Sequence, residues 1–166
     1  MPKLIKDGVI IDDRYTFVSP NEDGSLSLPD QAVLVKLSIW LEHRNALLTH
    51  NHAKGVQLAP DEFAETIASD TEKLDLIAIE FPAFADGRGY STAYTLRNRL
   101  GFKGELRAVG DVFKDTLFYQ QRSGFNAFAV RNDKNIEDAL LGLETFSQPY
   151  QGTATDMSPL YRRRLA

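Results

Sequence analysis

Residues 74–128 read LDLIAIEFPAFADGRGYSTAYTLRNRLGFKGELRAVGDVFKDTLFYQQRSGFNAF, and the fold is decided there. Three apolar runs, at residues 76–81, 106–109 and 125–130, alternate with two helix-like segments that stop at Gly101 and Gly124. This alternation predicts strand–helix–strand units, because parallel neighbours need a crossover long enough to hold a helix. The run Leu76-Ile77-Ala78-Ile79-Glu80-Phe81 is almost continuously apolar, as expected of a central strand covered on both faces, and Pro82 stops it. Between that strand and its helix sits Asp86-Gly87-Arg88-Gly89-Tyr90-Ser91. The loop falls at the carboxyl end of a strand, where parallel sheets keep their ligands.

Toward the C-terminus, Ser91 is expected to cap a helix whose inner side is Ala93, Leu96 and Leu100. The strand at 105–109 ends at Gly110-Asp111, and Asp111 is expected to cap a helix carrying Phe113, Leu117, Tyr119 and Gln120 to Gly124. Residues 125–130 form the next predicted strand. Asp133 then caps a last amphipathic helix with Ile136, Ala139, Leu140, Leu143 and Phe146 on one face. Toward the N-terminus, Pro60 opens a helix with Phe63, Thr66 and Ile67 as its apolar side, and Gly55-Val56-Gln57-Leu58 is a short strand. A helix is expected from about Ser38 to Thr49, after an element begun by Val33-Leu34-Val35. Residues 8–11 and 15–18 are two strand candidates, read as a small antiparallel arm.

The expected architecture is one α/β domain over residues 1–166, with an N-terminal β arm at 1–30, a βα core at 31–148 and a loose tail at 149–166. Its sheet is mostly parallel, with four or five strands. An open Rossmann-like or flavodoxin-like sheet is the first expectation, and a partial β/α barrel is the rival, since successive βα units can also curl. Either leaves an edge or face to cover, which predicts a homodimer.

Composition narrows the function classes. The chain has 166 residues, 43% hydrophobic and 25% charged, which suits a globular domain with its own core. A net charge of −4 gives no bulk attraction to nucleic acid or anionic membrane, and the Arg162-Arg163-Arg164 run lacks the interleaved aromatics of a nucleic-acid site. No cysteine is present, which removes disulfides, thiol redox chemistry and cysteine-ligated metals. The first residues carry no apolar signal region and no run is long enough to span a membrane, so a cytoplasmic protein is expected. His43, His50 and His52 lie within ten residues, but the pair at 50 and 52 has no third ligand at a metal-binding spacing. A solvated helix end accounts for them, and no metal is expected.

The carboxyl ends of the strands gather Asp61, Glu80, Phe84, Asp86, Gly87, Arg88, Gly110, Asp111, Arg131 and Asn132. Within the 86–91 loop, Gly87 and Gly89 would let the backbone approach a ligand and Arg88 offers a fork of donors. Helix N–H groups follow, which together suits an oxyanion or phosphate-bearing molecule. The plain alternative is a tight turn at Asp86-Gly87 with Arg88 paired to a nearby acid. Arg107, two residues after Glu105 on the same strand face, predicts a partly buried salt bridge. No Ser-His-Asp or Cys-His set can be assembled, because no histidine follows His52.

The strings FPAFADGRGYS (81–91), GELRAVGDV (104–112) and RSGFNAF (122–128) resemble the bacterial "domain of unknown function 934" family. The matching motif positions are Asp86, Gly87, Arg88, Gly89, Tyr90, Ser91, Glu105, Arg107, Gly110 and Asp111. Members are described as uncharacterised or as oxidoreductases, encoded beside sulfite reductase and other enzymes of assimilatory sulfate reduction. The loop chemistry and the setting that the resemblance implies together give the expectation of an accessory protein of that process, binding an oxyanion or phosphate-bearing small molecule at the 86–91 loop, with Gly110 and Asp111 beside it. Two alternatives stay open: an oxidoreductase using a flavin or nicotinamide, and a non-catalytic interaction module for sulfite reductase. No cofactor is assigned. Many members carry cysteine where this chain has Ser123, so thiol chemistry there is not general.

Overall fold

The computed structural model describes residues 2–145 and 150–163. Its core is a curled half-barrel sheet, eight-stranded among the described residues, in the order β2-β1-β8-β7-β6-β5-β4-β3. The strands are β1 Lys3–Lys6, β2 Val9–Asp12, β3 Thr16–Phe17, β4 Val33–Lys36, β5 Lys54–Leu58, β6 Leu76–Phe81, β7 Glu105–Gly110 and β8 Ala127–Phe128. Strands β3 to β8 run parallel, and β1 and β2 form an antiparallel hairpin that joins β8 at one edge. Neighbours in the parallel part follow chain order without reversal. A doubly wound Rossmann or flavodoxin sheet needs such a reversal, so the partial β/α barrel is the description that fits. The sheet is also wider than the four or five strands expected.

Sequential order with crossovers of one hand puts all the helices on one side of the sheet. That side holds the main core. Val33, Val35, Val56, Leu58, Ile77, Ile79, Phe81, Leu106, Ala108 and Phe128 pack against Trp40, Leu47, Ile67, Ala93, Leu96 and Leu117. Each fully buried Leu or Ile here contributes about 1.5–3 kcal/mol. The opposite face carries a smaller cluster, Tyr15, Ala32, Leu34, Leu76 and Ala78. Beside it lies a buried ionic row. Arg107, 3% exposed, donates to Glu105 (Nε···Oε1 2.8 Å) and to Asp13 (Nη1···Oδ2 2.9 Å), and Lys6 meets the other Glu105 oxygen at 2.9 Å. The predicted Glu105–Arg107 pair is therefore present, and it anchors both the hairpin and the segment leading to β3.

Several elements differ from their expected form. The hairpin joins β1 to β2 through Asp7 and Gly8, both at positive φ, rather than joining residues 8–11 to 15–18. Strand β3 instead lies at the far edge, beside β4. The expected helix at 38–49 is two short ones, α1 Leu37–Glu42 and α2 Arg44–Leu48, broken at His43. After Pro60 comes a 3₁₀ segment, Ala64–Lys73. Of its buried positions, Ala64, Ile67 and Asp70 recur every third residue, the 3₁₀ period, with Thr71 beside Asp70, so Phe63 and Thr66 stay outside. Asp70 fixes this segment by accepting from Trp40 Nε1 (2.9 Å), Arg44 Nε (2.9 Å) and Nη2, and Lys73 Nζ (3.3 Å).

Helix α3 spans Arg88–Tyr94 and continues as a π turn, Thr95–Arg99, to Gly101 at φ 67°. Arg97 locks that turn, donating to the carbonyls of Gly124 (2.8 Å), Phe102 (2.8 Å) and Gly104 (2.9 Å). Helix α4 is Lys114–Arg122, and α5 is Ile136–Leu140 with Asn135, not Asp133, as its cap. Within the tail, residues 151–154 are bonded to α4. Arg122 donates to the carbonyls of Gln151 and Gly152 (both 3.1 Å), and Ala154 N–H to the Arg122 carbonyl (2.8 Å), ahead of α6, Leu160–Arg163. Phe146, Pro149 and Arg164 lie outside the described residues. Among the described residues, no helix is long and apolar enough to cross a membrane.

Candidate functional site at the carboxyl rim

The loops leaving β5, β6, β7 and β8 share the rim at the carboxyl ends of the parallel strands. The first two frame a cleft of about 270 Å³, lined by Pro60, Glu62, Phe63, Ala64 and Glu65 on one wall. Arg88, Ser91, Thr92 and Thr95 line the other. The α3 side of the cleft is a row of hydroxyls because the buried positions of that helix, Gly89, Ala93 and Leu96, point at the sheet.

The structure divides the expected site residues. Arg88 and Ser91 reach the cleft, and Asp86 stands beside it. Arg88 is paired as in the plain alternative, donating from Nε to Asp86 Oδ1 (3.0 Å) and from Nη2 to Oδ2 (2.6 Å). The guanidinium lowers the Asp86 pKa, and the carboxylate in turn raises that of Arg88, with a smaller push from Asp61. Gly87 precedes α3 with open space where a side chain would be.

Gly89 is constrained by packing. A Cβ there would stand 2.7 Å from Phe81 Cζ and 3.1 Å from Ile79 Cγ2, so this glycine lets α3 press onto β6. Tyr90 belongs to the same packing, edge-on to Phe81 at 5.2 Å between ring centres, and burial raises its pKa. Ser91 makes no capping bond and sits within the helix, facing the cleft.

Gly110 takes φ 92°, and a side chain would collide with the Phe81 carbonyl oxygen, which accepts from Asp111 N–H at 2.7 Å. The glycine is needed because the β7 loop folds back over the end of β6. Asp111 is not the cap of α4. Phe113 holds that place, its N–H donating to Thr116 Oγ1 at 3.2 Å. The Asp111 carboxylate instead accepts from Arg131 Nη1 at 2.6 Å, and Arg131 grips Asp133 through Nε (2.9 Å) and Nη2 (2.8 Å). Asp111 thus ties the β7 and β8 loops together, apart from the cleft. Two of the three histidines are held, His52 Nε2 against Asp30 (2.7 Å) and His50 Nε2 against the Gln31 carbonyl (2.9 Å).

Two aromatic rings stand out on this rim. Phe63 is 74% exposed at the cleft, and Phe84 is 65% exposed on the loop after β6, resting on Phe113 at 5.7 Å. Sequence reasoning placed Phe63 on the apolar side of a helix and missed Glu65, Thr92 and Thr95. The available signal was the three-residue spacing of Ala64, Ile67 and Asp70, which leaves Phe63 and Glu65 on the outer side. No curated protein matches the chain. The description "bacterial protein of unknown function (DUF934)" belongs to a family whose pattern matches residues 55–161, from within β5 into α6, including both walls of the cleft, and the chain belongs to that family.

Proposed function

We propose that this is a non-catalytic accessory protein whose carboxyl rim docks onto a partner enzyme, with sulfite reductase, the neighbour implied by the resemblance, as the partner to test. The exposure of Phe63 and Phe84 on the loops leaving two adjacent strands carries the reading. Scattered apolar side chains are ordinary on a surface, but aromatic rings set among guanidinium–carboxylate pairs have the composition of an interface centre. Arg88 and Arg131 both hold their carboxylates on this rim. The test is co-elution of the purified chain with purified sulfite reductase on size exclusion. Independent elution at tens of micromolar would remove this partner.

Oxyanion binding at the 86–91 loop is the second reading, favoured by one observation. The Arg88 side chain remains 58% exposed beside three hydroxyls, so a ligand can reach its guanidinium and compete with the half-buried Asp86. Titration with sulfite, sulfate and adenylyl sulfate, read at the amides of Gly87 to Ser91, tests it. Silence across all three removes it. A homodimer is supported by the open edge of β2, where Val9 and Ile11 are exposed. Light scattering reads the mass, and a monomer at 100 µM would contradict that pairing.

A further inference from the structure

The cleft between residues 60–65 and α3 has a charge its guests must match. Asp61, Glu62, Glu65 and Asp86 stand in or beside it, against a single guanidinium, Arg88. That guanidinium is already matched by Asp86. Glu62 spends one oxygen on the Ala59 N–H (2.6 Å), whereas Glu65 is exposed. The ring of Phe63 adds a face whose quadrupole attracts cations. Apolar surface from Pro60, Phe63 and Ala64 suits a methylene chain, and Ser91, Thr92 and Thr95 offer acceptors along the opposite wall.

We infer that this cleft receives a basic side chain, an arginine or lysine, projecting from the surface of the partner protein. The inference rests on the docking reading of the rim and names the chemistry of the partner's anchor. The carboxylate excess selects a cation, the ring and its apolar neighbours select a long aliphatic stem, and the volume of about 270 Å³ accepts an extended side chain. This cation reading and the oxyanion reading of the 86–91 loop exclude one another, because both claim Arg88 and the hydroxyl wall beside it. The arginine anchor would lie with its head near Glu65 and its plane against Phe63.

The experiment uses the full chain, with amide shifts read by NMR at millimolar concentrations of a capped glycine–arginine–glycine peptide. Its citrulline analogue, equal in shape and neutral, is the control. The expected result is saturable shifts at residues 62–65 and 91–95 with the arginine peptide and none with citrulline. Glu65→Gln is expected to weaken binding about threefold. Phe63→Ala is expected to weaken it about tenfold. Both side chains are exposed, so the variants keep the parent spectrum elsewhere. Equal shifts from citrulline, shifts confined to another surface, or phosphate moving these amides where arginine does not would each overturn the inference. Sulfite reductase binding measured separately on Glu65→Gln and Phe84→Ala distinguishes the two claims. Loss in Phe84→Ala alone keeps the docking surface and removes the cleft as its anchor, whereas no binding by the parent chain removes this partner while the peptide result still decides the cleft.

Discussion

Asp70 is a buried carboxylate, 3% exposed, brought under donors from Trp40, Arg44 and Lys73. The hydrogen bonds from Arg44, helped by Trp40 and Lys73, outweigh burial and hold its carboxyl well below the ordinary value of 3.8. A depressed folded-state pKa means stability that is fully present above 3.8 and lost as pH falls below it. The melting temperature of the parent chain should therefore drop more steeply between neutral pH and about pH 3 than that of Asp70→Asn, measured by circular dichroism. At Arg107 the expectation is different in kind. Arg107→Ala leaves Glu105 and Asp13 short of donors in a buried site and should cost about 3 kcal/mol in urea unfolding, whereas replacing Arg107 and Glu105 together by Met and Leu should cost much less. The Glu105–Arg107 pair was legible in the sequence because two residues on one strand share a face. The fate of Asp111 was not, because Arg131, twenty positions away, competes for the carboxylate that a local reading assigns to a helix cap. The packing role of Gly89 was hidden for a similar reason. Its constraint comes from Phe81 and Ile79 on another element.

Elements with a continuous apolar run were the most readable. Strand β6 spans the very run Leu76–Phe81, and β7 gains only Gly110 over its expected extent. Strand β1, KLIK, carries two apolar residues among lysines and gives no such signal, although Leu4 and Ile5 are buried. The 3₁₀ segment was hidden because Phe63, Thr66 and Ile67 also fit a helical spacing, and only tertiary contacts through Asp70 decide the tighter winding. The tail is the clearest case of order without local pattern. Among the described residues, it is bonded to α4 through two carbonyls on Arg122 and one N–H from Ala154, none visible as periodicity. Arg122→Ala should therefore raise the rate of proteolytic cleavage within residues 150–157 severalfold while shifting the melting temperature of the core little, with mass spectrometry of the fragments as the readout. An unchanged cleavage rate would show that the tail is held by other contacts.

For the whole molecule, the βα alternation gave the parallel sheet, but not its curl or strand order. A doubly wound sheet and a partial barrel are built from the same units, and only the side taken by each crossover separates them. That distinction has consequences for the surface. With the helices gathered on one side, the carboxyl rim is a continuous band of loops from β5 to β8. Phe63 and Phe84 stand on that band, with Arg88 and Arg131 held by their carboxylates beside them. The loop at 86–91 was found from sequence, whereas its acidic, aromatic setting came from folding residues 60–65 against α3. Isothermal titration of the purified chain into sulfite reductase, repeated with Phe84→Ala, tests the docking surface most directly. The account predicts a saturable complex of micromolar affinity whose Kd rises at least about tenfold on loss of that ring, roughly 1.4 kcal/mol. An affinity unchanged by Phe84→Ala, or no heat of binding from the parent chain, would contradict it.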